Sequence, residues 1–231
     1  MPKLLVLTGA GISAESGIST FRDNDGLWER HRFEDLATPE AFARDPVLVH
    51  RFYNLRRAQL KVVEPNAAHL ALARLEQEWR GRGDFLLVTQ NVDDLHERAG
   101  SRRLVHMHGE IRKLRCASCG GIIPHHEDAG MSLACAACGR AGRMRPHVVW
   151  FGEMPFCMEE IYEAAGQADI FVAIGTSGIV YPAAGLADAA RRNGRECRTI
   201  EINPNPTGNP AFRTVIPETA VEGVPKLLSM L

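Results

Sequence analysis

Four cysteines carry the clearest chemistry in this chain of 231 residues. Cys116, Cys119, Cys135 and Cys138 form two C-x2-C pairs with fifteen residues between them. Thiolates at that spacing make a tetrahedral four-sulfur zinc module. Four protein ligands leave the metal no open position, so one structural Zn2+ is expected. A small insert with little apolar core needs such an ion to fold. A second set of residues suits a nucleotide: Gly9, Ala10, Gly11 and Ala14 in "GAGISA" directly follow the apolar run "KLLVLTG". Strand, glycine turn and helix start together aim backbone N–H groups at a pyrophosphate. A third set gathers where apolar runs end: Gln90, Asn91 and Asp93; His106 and His108; Gly175, Thr176 and Ser177; Asn203. Open parallel sheets bind ligands beyond the carboxyl ends of their strands. A histidine there, beside a glycine turn, suits general-base work. His106 and His108 share one face of an extended "LVHMHG", so spacing does not select between them. Tyr53 and Arg56 stand three apart in a helical stretch and can face one spot; on this segment alone a solvated face is the plainer reading.

The elements that must position these groups alternate. "KLLVLTG", "DFLLVTQN", "HVVWFG", "DIFVAIGTSG" and "CRTIEINPNP" read as strands, the last of them closing the sheet. Residues 38–61 read as helix, with Thr38 as cap and Pro39 in the first turn. A helix over 65–79 has Asn66 as cap and Leu70, Leu72 and Leu75 partly on one face; "DDLHERAG" is a short helix stopped by Gly100, and "YPAAGLADAARRNG" another helix. The pattern predicts an α/β fold: a Rossmann-like parallel sheet with helices on both faces. The dinucleotide-binding unit takes 1–35, 84–110 and 147–231, a helical insert takes 36–83, and a zinc-ribbon module takes 111–146. Residues 18–35 form a long loop whose aromatics Phe21, Trp28 and Phe33 argue for order. No second strand ends in an acidic residue some 20 positions after the glycines, as hydride-transferring dinucleotide enzymes require. Hydride transfer is therefore not expected.

Bulk composition narrows the classes. A formal net charge of −1 offers no general attraction to nucleic acid or anionic membrane. Arg112, Lys113, Arg115, Arg140, Arg143 and Arg145 make the cysteine-rich insert locally basic, which keeps nucleic acid a minor option. The seven residues before the first turn signal are too few for a signal-peptide core or a membrane span. Clustered cysteines, with only Cys157 and Cys197 standing alone, point to a reducing compartment, most simply the cytoplasm.

"GAGISAESGISTFR", "TQNVDDLHERAG", "HMHGE", the two C-x2-C pairs, "RPHVVWFGE" and "GTSGIVYPAA" occur in the order found in sirtuins, the NAD-dependent protein-lysine deacylases. The chain resembles that family over nearly its whole length; Ser19 stands where many members have proline. The resemblance implies that Gly9, Ala10, Gly11, Ala14, Phe21 and Arg22 line an NAD site. It implies that Gln90, Asn91 and Asp93 lie on the nicotinamide side, and that Gly175, Thr176, Ser177 and Asn203 meet the phosphates and adenosine ribose. His108 corresponds to the catalytic base, which leaves His106 a structural strand residue. Val148, Val149, Phe151, Gly152 and Glu153 correspond to the segment that pairs with a substrate peptide as an added strand. Tyr53 and Arg56 resemble a Tyr-x-x-Arg pair over the acyl pocket of the branch that removes acidic acyl groups. Arg57, next along, is expected in solvent. The implied reaction takes succinyl-, malonyl- or acetyl-type groups from protein lysines and yields nicotinamide, an O-acyl-ADP-ribose and free lysine. Acyl-lysine proteins or peptides are the expected partners, and the expected state is a monomer. Mono-ADP-ribosyl transfer and a non-catalytic, NAD-responsive zinc-ribbon protein are the alternatives.

Overall fold

Strand β1 (Lys3–Thr8) is buried from Leu4 onward, as a strand covered on both faces must be. Its residues part alternately: Leu4 and Val6 join one core cluster, Leu5 and Leu7 a second. The computed structural model describes residues 1–19, 27–28, 31–192 and 196–231, so Phe21 and Arg22 lie outside the described residues. After β1 come β2 (Leu27–Trp28), β3 (His31–Arg32), α1 (Phe33–Leu36), α2 (Pro39–Arg44), α3 (Pro46–Gln59) and α4 (Ala67–Trp79). Then follow β4 (Asp84–Thr89), α5 (Leu95–Ala99), β5 (Leu104–His106), β6 (Gly109–Cys116), β7 (Ile122–Pro124) and β8 (Met144–Val148). The chain closes with α6 (Met158–Gln167), β9 (Ile170–Ile174), α7 (Leu186–Arg192), β10 (Arg198–Ile202), β11 (Thr214–Ile216) and α8 (Ala220–Met230).

Among the described residues six strands pair in the order β11-β10-β9-β1-β4-β5, all parallel. Leu72, Leu75 and Trp79 of α4, with Val224 and Leu227 of α8, cover one face. Ile161 and Ala165 of α6, with Leu186, Ala187 and Ala190 of α7, cover the other. From β1 the chain proceeds to β4 on one side and later returns to β9 on the other. The sheet order therefore switches between β1 and β9, where open α/β sheets form their ligand crevice. A separate antiparallel sheet, β7-β6-β8, belongs to the cysteine-rich insert.

The α/β architecture agrees with the sequence pattern, and several local expectations need correction. Residues 38–61 form two helices. Asp45 ends α2 and caps α3, its Oδ1 accepting from Leu48 N at 2.9 Å, and Pro46 starts the second helix without an N–H to lose. "HVVWFG" is not a strand of the parallel sheet: only its first residues extend, in β8, which pairs antiparallel with β6. The strand at "CRTIEINPNP" is not the last, since β11 and α8 follow it. Gly223 lets α8 approach β10, where a Cβ would sit 2.3 Å from Ile202 Cγ2. Leu70 is exposed, while Leu72 and Leu75 are buried.

Arg57 is the sharpest departure. Instead of lying in solvent it is 1% exposed. Its Nε donates to Ile111 O at 3.1 Å, and its Nη1 to Asn54 Oδ1 at 2.7 Å and Glu127 O at 3.2 Å. α3 is thereby bolted to the insert that carries the cysteines. No helix among the described residues is long and apolar enough to cross a membrane. Arg57→Met keeps the stem but leaves these carbonyls unpaired, so unfolding free energy should fall by about 2–4 kcal/mol. Urea titration of wild type and variant measures the loss; a change under about 0.5 kcal/mol would refute the bolt.

Candidate functional site

The switch point is built on backbone contact. Gly11 N donates to Gly175 O at 2.9 Å, and Gly9 N to Ile174 O at 3.0 Å. A Cβ on Gly11 would meet Gly175 Cα at 2.7 Å; one on Gly175, whose φ is +60°, would meet Ile12 N at 2.6 Å. Only glycines allow the two loops to come this close. Ala10 is half-buried, and Ala14 is exposed at the rim. Beside them, Gln90 Nε2 donates to Thr176 Oγ1 at 3.1 Å, and Asn203 Nδ2 donates to Thr176 O at 2.7 Å. Half-buried Ser177 adjoins, its Oγ accepting from Ile179 N at 3.4 Å. The ends of β1, β4, β9 and β10 thus converge on one crevice.

Under it lies a buried polar network. Ser13, 1% exposed, donates its hydroxyl to Asp93 Oδ2 at 3.0 Å and accepts from Asn91 Nδ2 at 3.0 Å. Asp93 Oδ1 accepts from Leu95 N at 3.1 Å. Burial pushes the Asp93 carboxyl up, against the lowering by its Leu95 and Ser13 hydrogen bonds. His69 Nε2 lies 3.5 Å from Ser13 Oγ, and its Nδ1 3.0 Å from Asn66 Oδ1. His96 Nε2 meets Thr8 Oγ1 at 3.0 Å, and Thr8 donates to Thr89 Oγ1 at 2.9 Å. Both rings are held neutral by burial, His69 down to about 4 and His96 well below the usual range.

The two strand-end histidines differ. His108 Nδ1 lies 3.0 Å from Gln90 O. A carbonyl only accepts, so Nδ1 carries the proton and Nε2 keeps the lone pair. Burial lowers its pKa, opposed by that bond. His106 instead lies between Asn91 O at 3.2 Å and Glu97 Oε1 at 2.7 Å.

Segment 148–153, which follows β8, lies beside His108. Val148 pairs with Gly109, Val149 N donates to His108 O at 2.8 Å, and Phe151 N donates to Ala37 O at 2.9 Å. Gly152 has φ +87° with nothing near its missing Cβ. Glu153 is held by its own neighbours: it accepts from Arg145 at 2.7 and 2.9 Å, Arg115 at 2.7 Å and Trp150 N at 2.8 Å. The Arg145 guanidinium lies 3.3 Å from the centre of the Trp150 ring. Trp150 Nε1 in turn donates to Tyr53 Oη at 2.9 Å, fixing α3 over this segment. Tyr53 is buried, Arg56 half-buried, and the Arg56 charge is felt at the Tyr53 hydroxyl.

Cys116, Cys119, Cys135 and Cys138 bring their sulfurs within 4.8 Å of one another. Such a thiolate set fits a tetrahedral zinc ion, with none of its ligands drawn from the crevice. Four of the insert's basic residues pair with carboxylates just outside it: Arg112 with Asp94, Lys113 with Glu110, and Arg115 and Arg145 with Glu153.

Residues 9–182 match the profile of the Sir2 family. The chain belongs to the Sir2 family. A relative from Shewanella oneidensis, named NAD-dependent protein deacylase, is 54% identical over 231 residues, 99% of this chain and 93% of its own length. A crystal structure of a Sir2 homolog–NAD complex superposes with a TM-score of 0.87 at 42% identity, covering 99% of this chain and 88% of that one. A Sir2–p53 peptide–NAD+ complex superposes with a TM-score of 0.81 at 27% identity, covering 99% and 92%. The resemblance drawn from the motifs therefore stands, with its α/β fold, its enzymatic class and its NAD and zinc requirement.

Sequence reasoning missed several groups in this Sir2 crevice. Ser13 was hidden inside the glycine motif, although a serine at a buried turn asks for a partner. His69 reads as a helix residue; its signal is an Asn-x-x-His cap in which histidine replaces the usual acidic or amide group. Trp150 and Arg57 reveal their hydrogen-bonding roles only through contacts distant in sequence.

Two outcomes follow from this geometry. Elemental analysis should find one zinc per chain, and Cys135→Ala should lose it together with hydrogen-exchange protection in β6 and β8. His69, lowered from 6.5 to about 4, contributes stability that is present above 6.5 and lost as pH falls through 4. The unfolded chain binds the extra proton in that window, which costs about 3 kcal/mol at its acid end. Between those two pH values the urea midpoint should fall less for His69→Gln than for wild type; equal falls would contradict a neutral buried ring.

Proposed function

We propose that this Sir2-family chain is an NAD-dependent protein-lysine deacylase whose pocket accepts succinyl- and malonyl-type groups as well as acetyl. Tyr53 carries this reading. Its hydroxyl oxygen already accepts from Trp150, so its O–H remains available to donate. Burial pushes the phenol up to about 12, which keeps that proton in place. An otherwise apolar pocket cannot hold a carboxylate without a paired charge. Arg56, one helical turn on and near enough to influence Tyr53, offers a guanidinium fork for a bidentate contact.

Bound NAD would supply an electrophilic ribose carbon whose nicotinamide departs as the acyl oxygen arrives. The chain's own part begins with Gly9, Ala10, Gly11 and Gly175, whose close-packed backbone forms the nucleotide cradle, with Ala14 at its edge; the family resemblance assigns Phe21 and Arg22, outside the described residues, to the same NAD site. Asn203, Thr176 and Ser177 serve the adenosine side. Gln90, Asn91 and Asp93, the last two fixed by Ser13, orient the nicotinamide side. His108 Nε2 takes a proton from a ribose hydroxyl. Val148 at the end of β8, with Val149, Phe151 and Gly152 in the stretch that turns after it, would meet a substrate peptide through their backbone groups, and Glu153 holds that turn through Trp150 N. The three-part division, with 1–35, 84–110 and 147–231 for NAD, 36–83 for the acyl group and 111–146 for zinc, belongs to the same reading.

Nicotinamide release from NAD should favour a succinyl-lysine over a matched acetyl-lysine peptide. Arg56→Met should cut the succinyl rate by roughly one to two decades while sparing acetyl removal. Equal turnover of both peptides by both proteins would remove the acidic-acyl assignment and leave deacylation standing. His108→Ala should lower kcat by roughly 10²–10⁴-fold. In wild type the acid limb of kcat/KM should have its midpoint below 6.5, because burial favours the neutral base; a midpoint above 6.5 would contradict the assignment.

A further inference from the structure

His106 is anchored on both sides by acceptors. Asn91 O lies 3.2 Å from Nδ1 and Glu97 Oε1 lies 2.7 Å from Nε2. A neutral imidazole has one N–H and can satisfy only one of them, so both contacts together require the doubly protonated ring. The setting supports a cation. The His106 side chain is 9% exposed, and the second oxygen of Glu97 is buried with no hydrogen-bond partner among the described residues. The Glu97 side chain as a whole is 36% exposed, yet this oxygen is shut off from water, and a positive charge on the ring offsets that loss.

The groups facing the ring come from three elements. Glu97 and His96 belong to α5, Glu110 and Lys113 to β6, and Asp93 to the loop after β4. Lys113 Nζ lies 2.6 Å from Glu110 Oε1. Glu97 and Glu110 thus meet the Lys113 ammonium and the His106 imidazolium, while burial pushes the third carboxyl, Asp93, toward its neutral form. His106 is burdened by burial, yet the hydrogen bond and charge of Glu97 outweigh it and raise its pKa.

The placement gives this pair a task. His106 and His108 hold consecutive carbonyls, Asn91 O and Gln90 O, so the two rings together clamp the segment that bears Gln90, Asn91 and Asp93. One ring is a neutral base, and the other is a charged clip whose far end is tied to α5. We propose that the His106–Glu97 ion pair is a positioning device that fixes the Gln90–Asp93 segment for NAD cleavage, and that the segment loosens when His106 loses its proton. The proposal rests on the functional reading above for the role of that segment. The sign follows from the raised pKa: the clip is fully engaged below the unfolded-state value and is lost as pH rises through the folded one.

Glu97→Gln tests it, because the amide oxygen still accepts from Nε2 while the charge is gone. The ratio of kcat/KM for NAD, variant to wild type, should dip by up to about tenfold in the pH window between the two His106 titrations and recover above it. His108 titrates in both proteins, so its effect cancels in the ratio. Nitrogen-15 NMR of the histidine rings in the full-length protein gives a second readout. Both His106 nitrogens should carry protons at neutral pH, and the variant should lose one of them at lower pH than wild type. A flat ratio, or a singly protonated His106 ring at neutral pH, overturns the proposal. Wild-type protein that releases no nicotinamide would fail the functional reading instead; ring protonation and the pH dependence of NAD affinity then decide the clip without turnover.

Discussion

The structure depends on two loops approaching to backbone contact. Gly11 and Gly175 come so close that each excludes a side chain on the other, and the bond from Gly11 N to Gly175 O closes the approach at 2.9 Å. This happens at the one place in the sheet where the strand order switches direction. Because the glycines occupy so little room, the ends of β1 and β9 can meet while Thr176 still reaches Gln90 and Asn203 on the neighbouring strands. A single methyl group at either glycine would push these strand ends apart, and the polar residues would no longer share a crevice.

Beneath the crevice, protonation states are set by what each ring touches. His69 and His96 pack against hydroxyls, an amide and each other, with ring centres 4.8 Å apart, so burial leaves them uncharged. His106 meets a carboxylate and a carbonyl, and so holds its proton. His108 meets a carbonyl alone, which fixes its tautomer without stabilising the cation strongly. These four histidines, His69 on α4, His96 on α5, His106 at the end of β5 and His108 just beyond it, thus acquire three electrostatic characters from burial and partner chemistry together. The neutral tautomer of His108 keeps a lone pair on Nε2, while burial holds His69 and His96 uncharged.

Much of this was legible in the sequence, for specific reasons. The apolar run before "GAGISA" announces a buried strand, and its glycines announce the close approach. The cysteine spacing announces the four-sulfur cluster. Legibility ends where a residue's role depends on a distant partner. Arg57 sits on a helix among charged neighbours and looks solvated; only the carbonyls of Ile111 and Glu127, 54 and 70 positions away, make it a buried bolt. α8 holds a glycine and a proline, poor helix formers whose cost is offset by packing Val224 and Leu227 on the sheet. The "VVWF" stretch has strand-like composition, but Phe151 N bonds to Ala37 instead of a strand partner, and the chain turns.

Arg57 also explains how the cysteine-rich insert bears on α3, the helix that carries Tyr53 and Arg56. The zinc-binding sulfurs organise an insert whose loop presents Glu127 O and Ala129 to α3. Asn54 joins the same contact, donating to Ala129 O at 2.9 Å and accepting from Ala129 N at 3.0 Å. These bonds lock one side of α3, and Tyr53 locks another through Trp150. From the insert's own strands, Arg145 and Arg115 reach Glu153 and stiffen the segment after β8. The helix bearing Tyr53 and Arg56 and the segment opposite it are therefore both referenced to the zinc insert. The cysteine cluster touches neither of them, yet the insert it organises is joined to both through Arg57, Arg115 and Arg145, and hydrogen bonds to charged groups hold distance and direction together.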